Sequence, residues 1–400
     1  MIILSVASYA DDTTDIDNTQ LLADGPYIAL LNQTVGDVSE TAGQVSALGN
    51  TLSVDITNGD TIVSNTQTVE TSSGYAESVL NADSASWTAA SNATAIANSA
   101  TITTCCGSID ATSTQTVGPN QSVGANAALH VNDWALNASA AALATGNAID
   151  LQTWFGPSLD GVITQTNEAT IMSDAHIEGG IMADSAIVAA TAIANTGFAG
   201  GEATTTYIFT EQLSHGSKVH ARASLDSPDV EDATVATTAT GNNFVIENSF
   251  GFVQADHWQD NSSQIVATTD VNVGVWNGSN TASSYAVGNT NLTSNIGSDI
   301  LLDNVQVNAG IGVEATTNFT GGSAGGVGFD QQIVSAAAFG NAVTAFVCPI
   351  CGGGITANNN QTNSADITAT TTVNAGSGNT VVGSATAIGN SATFLTTSGH

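Results

Sequence analysis

Four cysteines carry the most distinctive chemistry in this chain, as two close pairs: Cys105–Cys106 and Cys348–Pro349–Ile350–Cys351. Close thiol pairs form local disulfides, hold zinc or exchange electrons. Zinc requires a second pair nearby, and adjacent cysteines chelate poorly. Cys351 runs into three glycines rather than a helix start, so a redox role has no support. Local disulfides within each pair are therefore expected, which suits an oxidising, exported location.

The remaining candidates are weaker. Lys218, His220 and Arg222 form the one basic spot, and they include the only lysine and the only arginine. They suit either a contact for an acidic group or ordinary variation in an irregular unit. The other histidines, His130, His176, His215, His257 and His400, share no recurring partner. Gly321–Gly325 spells the nucleophile-elbow pattern, but that elbow needs a strand before it and a helix after it, and glycine flanks it on both sides. Residues 325–330 begin like a calcium-binding nonapeptide, yet Gln332 fills the apolar slot and no second copy follows. The acidic groups Asp11, Asp12, Asp15 and Asp17, and Asp229, Glu231 and Asp232, read as solvated faces. No catalytic residue, designed metal site or cofactor is assigned; only weak, non-specific calcium binding is expected, and no enzyme activity.

The charge balance removes further classes. Thirty-five acids face two bases, a net charge of -33, so the chain cannot neutralise phosphates and nucleic acid is excluded as a partner. Attraction to an anionic membrane surface fails for the same reason. The hydrophobic fraction of 42% and mean hydropathy of +0.13 argue against disorder. With two cleavage sites four residues apart, the chain should resist trypsin-like proteases.

The elements that position these residues follow from a repeat. The phrase Ala, any residue, Gly or Ala, Asn recurs eight times, ending at Asn50, Asn98, Asn147, Asn195, Asn242, Asn289, Asn341 and Asn390. The intervals run from 47 to 52 residues. Alternating apolar residues around each Asn mark a β-strand. That period places Leu48, Asn50, Leu52 and Val54 on one face, and Ala47 and Gly49 on the other. A glycine-containing break follows about nine residues later, as at Asn58–Gly59, Gly107, Gly156, Gly251 and Gly297. Each unit reads as roughly two strands, with few helices anywhere. A buried Asn needs its amide satisfied. In-register stacking supplies that as a ladder, whereas the flanking glycine suits a simple turn.

Such a unit cannot bury a core alone and must stack on its neighbours. The expected fold is all-β: a parallel β-helix-like solenoid of about eight units of about 48 residues. A stacked antiparallel hairpin array is the alternative. Eight single coils would rise about 40 Å, and sixteen half-size coils about 75 Å. Residues 11–400 form one continuous array, divided near 60, 108, 156, 204, 251, 299 and 351. Residues 1–10 read either as the remnant of a signal peptide, ending in Ser8–Tyr9–Ala10, or as a first strand. The last unit shows no atypical cap, which predicts self-association or docking onto a partner.

The recurring ATAIAN and ATAIGN phrases, the Thr/Asn/Ala-rich and Lys/Arg-poor composition and the length resemble the D-type holdfast anchor proteins of stalked alphaproteobacteria. The resemblance covers most of the chain and rests on repeat character. It implies an extracellular, outer-surface protein that fastens an adhesive polysaccharide holdfast to the cell, with other anchor proteins as partners and no catalysis. The alternatives are an S-layer-like or ice-binding structural protein, and a β-helix enzyme degrading polysaccharide.

Overall fold

The structure, a computed structural model, describes residues 13–323, 331–348, 352–376 and 378–396. Residues 1–10, Asp11, Asp12, the calcium-type run 325–330, Cys351 and His400 lie outside the described residues.

Each unit forms one coil, built from a short strand and a long one. The short strands are β1 (Thr14–Leu22), β3 (Thr61–Val69), β5 (Ile109–Val117), β7 (Ser158–Asn167), β9 (Thr205–Ser214), β11 (Val253–Asn261), β14 (Ile300–Asn308) and β17 (Ile355–Asn363). The long strands are β2 (Tyr27–Thr57), β4 (Gly74–Cys105), β6 (Ser122–Trp154), β8 (Thr170–Glu202) and β10 (Lys218–Ser249). In the last three coils the long strand divides. The pairs are β12 (Gln264–Trp276) with β13 (Ser279–Ile296), β15 (Gly312–Ser323) with β16 (Gln331–Val347), and β18 (Asp366–Ala375) with β19 (Thr380–Thr396).

Every short strand pairs in parallel with the next short strand, and every long strand with the next long one. The chain is thus a parallel β-solenoid, and the antiparallel hairpin array is excluded. One unit makes one coil, so eight coils rise about 40 Å at the usual strand spacing.

The long strand bends twice, because a run of some 32 residues would otherwise leave the core. The first bend lies at a bulge where register shifts, between Val38 and Glu40 in the first coil and between Val230 and Asp232 in the fifth. The second lies at the residue before each repeat asparagine, which the in-register pairing skips: Leu48 pairs with Ile96, and Asn50 with Asn98. This bend corrects the face assignment expected from simple alternation. Ala47 and Asn50 both point inward, at 4% and 8% exposure, while Leu48 is only half-buried. The irregularity shifts the inside–outside phase by one residue, so the Ala column joins the core while Leu48, Ile96, Ile193 and Phe339 are left half-buried.

Two separate cores result. One, rich in alanine, lies between the two arms of the long strand, with Leu80, Leu129, Ile171, Val219 and Ile265 in it. The other lies between the short strand and the segment after the asparagine, with Ile56, Ile102, Leu151, Phe244 and Ile246. The thin alanine core explains the low aromatic content.

In several coils the glycine before the asparagine also has a local cause, although Gly49, facing the Val69 column, is not among them. A Cβ at Gly146, Gly241 or Gly288 would sit 2.7, 2.7 and 2.8 Å from the side-chain oxygen of Asn167, Asn261 and Asn308. Ala97 and Ala194 occur in coils two and four, where the residue in that column of the following short strand is instead Val117 or Ser214.

Candidate functional site

The repeat asparagines meet in the interior between the two cores. Asn50 Nδ2 donates to Asn98 Oδ1 at 2.9 Å, and Asn98 to Asn147 at 2.8 Å. Asn147, Asn195, Asn242, Asn289 and Asn341 each donate to the next asparagine at 2.8 Å, ending on Asn390. The second amide hydrogen goes to a backbone carbonyl on the facing short strand, as in Asn98 to Thr116 (3.0 Å) and Asn195 to Leu213 (2.8 Å). These amides are fully buried from Asn98 to Asn341 and satisfied by one another, which removes the penalty of burying them. Each repeat asparagine lies within a strand, so these bonds follow the ladder reading and no turn stands at the asparagine.

A second ladder was not foreseen from the sequence. Gln20, Gln67, Gln115, Gln165, Gln212, Gln259, Gln306 and Gln361 occupy one column of the short strands. Each later glutamine donates to the preceding one, at 3.0 Å for Gln67 to Gln20 and 2.7–2.8 Å thereafter. Its other hydrogen reaches the carbonyl of the residue after a repeat asparagine, as in Gln165 to Thr196 at 2.9 Å. The two ladders therefore stitch the sheets together reciprocally, and they run in opposite directions along the stack. Its signal in the sequence is a glutamine recurring at intervals of 47 to 55 residues, with Thr on both sides only at Gln67, Gln115 and Gln165.

The cysteines sit apart. Cys105 ends β4, and Cys106 occupies the following turn at φ 69°, with the two sulfurs 2.6 Å apart as thiols. The hydrogen bond shared with Cys106, then burial, raises the Cys105 pKa. Cys348 lies five coils further on, about 24 Å along the stack, too far for a bond to Cys105.

The basic spot lies on the outer face of β10. Arg222 Nε approaches Asp270 Oδ2 at 3.6 Å. Burial, followed by the charges of Lys218 and Arg222, pushes the His220 pKa down to about 4, so this ring is neutral near pH 7. A groove of about 410 Å³ beside Arg222 also carries His176, Glu178, Asp226 and Asp270, so its charges are mixed. His257 is buried, its Nδ1 2.6 Å from Thr210 Oγ1, and burial drives its pKa down to about 3. No group of three or more His, Cys, Asp or Glu among the described residues is arranged to hold a metal ion. No helix among them is long and apolar enough to cross a membrane.

Exposed aromatics collect on one edge, where the long strand turns into the next short strand. Trp154, Phe155, Tyr207, Phe209 and Phe250 are all at least 41% exposed there. Tyr207 and Phe252 pack with ring centres 6.2 Å apart.

Coils locked by two internal amide ladders, under a polar and acidic coat, define a parallel β-solenoid. Residues 35–312 of the 400 match the family described as holdfast attachment protein D, and the chain belongs to that family. No curated protein matches the chain, and no solved structure does.

Proposed function

We propose that this protein is a non-enzymatic anchor on the outer cell surface that fastens an adhesive polysaccharide, the holdfast, to the cell. The observation that carries the reading is the uninterrupted pair of ladders: every coil is tied to the next by two interior amide bonds, as a part bearing mechanical load requires. Membership of the holdfast attachment protein D family agrees with it. The polar surface of Thr, Ser, Asn and Gln supplies hydroxyls and amides for sugars. Other surface anchor proteins are its expected partners. Self-association belongs to the same reading. Each Asn rung points its N–H from an earlier coil to a later one, so the two edges of the stack are complementary.

Holdfast material recovered from a colonised surface provides the test. Purified protein should co-sediment with it and release no reducing ends on prolonged incubation. Protein that stays in the supernatant, or liberates sugar, would reject the proposal.

A further inference from the structure

On the outer surface behind the aromatic edge lies a cleft of about 480 Å³. Two neighbouring columns of the sheet line it. One runs Trp154, Glu202, Ser249, Ile296, and the other Gln152, Gly200, Glu247, Ser294. Four rungs span about 14 Å, and the step of about 4.8 Å is on the scale of one sugar unit in an extended chain.

The cleft is shaped by residues that serve the fold poorly. Gly200 interrupts a column of polar side chains, and a Cβ there would lie 2.7 Å from the ring of Phe198. Glycine thus lets that ring lie across the backbone as part of the lining. Beside the cleft, Phe155 and Phe250 hold the left-handed turn at φ 58° and 60°. Asn58, Cys106, Ala203 and Gly297 occupy the same turn position in other coils, so every described occupant of this column takes the left-handed conformation and only the two phenylalanines are bulky. A phenyl group there is strained, and at 62% and 64% exposure it gains little packing in return. The two exposed rings extend the aromatic surface beside the cleft.

The chemistry of the lining restricts the partner. Aromatic faces beside amide and carboxylate groups suit the C–H faces and hydroxyls of a pyranose. No Lys, Arg or His lines the cleft, while Glu202 and Glu247 do, so an acidic sugar would meet uncompensated charge. We infer that this cleft is a binding site for a non-acidic polysaccharide, seating about three consecutive pyranose rings across coils three to six. The inference rests on the attachment reading and assigns its sugar contact to named residues.

The test is a titration of the full chain with neutral hexasaccharides of glucose, mannose, galactose and N-acetylglucosamine, and with hexagalacturonate. Trp154→Ala with Phe198→Ala should weaken binding of the best neutral sugar by at least about tenfold. Trp87→Ala, at a more exposed tryptophan elsewhere (61%, against 41% for Trp154), should change it less than about twofold. Glu247→Gln, whose volume is unchanged, should weaken neutral-sugar binding without altering the melting temperature. Wild-type protein that binds a neutral sugar as well as the double variant does would overturn the cleft and leave the attachment reading standing. Preference for hexagalacturonate would overturn the assigned chemistry. Failure of the wild type to bind any of these sugars would overturn the cleft and count against polysaccharide attachment as well.

Discussion

Replacing Gln212 by leucine probes whether the glutamines act as one chain of amides. Gln212 donates to Gln165 Oε1 and to the Asn243 carbonyl, both at 2.8 Å, and accepts from Gln259 Nε2 at 2.7 Å. Leucine has a similar shape and fits the site, but three groups lose a hydrogen bond: the Asn243 carbonyl and two buried side-chain groups left orphaned, Gln165 Oε1 and one N–H of Gln259. At about 1–3 kcal/mol for each orphaned group, offset by about 1.5 kcal/mol from leucine's apolar surface, the cost is about 1–4 kcal/mol. The pair Gln212→Leu/Gln259→Leu gives a sharper result. A gap of any length in a ladder orphans one group at each end, so the second substitution adds less than about 1 kcal/mol. Coils of a solenoid unfold with partial independence, so urea unfolding should be accompanied by native-state hydrogen exchange at the amides of β9 and β11. A double variant that costs twice the single one would refute the ladder, because independent glutamines add.

Three further outcomes follow from other features. His257 is kept neutral in the fold with a pKa near 3, against 6.5 unfolded, so only the unfolded chain takes a proton between those values. Stability is thus full above about pH 7 and falls on acidification from 6.5 towards 3, at up to about 1.4 kcal/mol per pH unit, with His220 adding to the slope. His257→Asn, matching Asn304 in the next coil, should flatten that dependence in a pH series of urea midpoints. In Gly156→Ala the new Cβ would strike the Gly107 carbonyl oxygen, so it should cost about 1–3 kcal/mol, read as a lowered melting temperature. Cys105 and Cys106 should close to a local disulfide under diamide, seen as the loss of two hydrogens in intact mass. Before oxidation, Cys105 should alkylate slowly at neutral pH, because its raised pKa keeps it protonated.

Much of this architecture is written in the chain's period. The eight asparagines recur because identical amides must meet in register, and that requirement makes coil number and parallel pairing legible. Coil size follows less directly, since one coil per unit depends on how far the long strand runs before bending. The face assignment at Leu48 fails for a physical reason: a bend shifts the inside–outside phase, and alternation carries no mark of it. The glutamine ladder escapes notice because the residues around it face solvent and vary freely. The aromatic cleft is invisible to periodicity altogether. Its residues, among them Trp154, Phe198 and Gly200, are departures from the repeat, and only the register of neighbouring coils brings them together.

The most direct measurement concerns cells from which this protein alone has been removed. They should still produce adhesive material but leave it behind on the surface under flow, because the bond between cell and polysaccharide has lost its anchor. Cells that stay attached, with adhesive still fastened to them, would contradict the account.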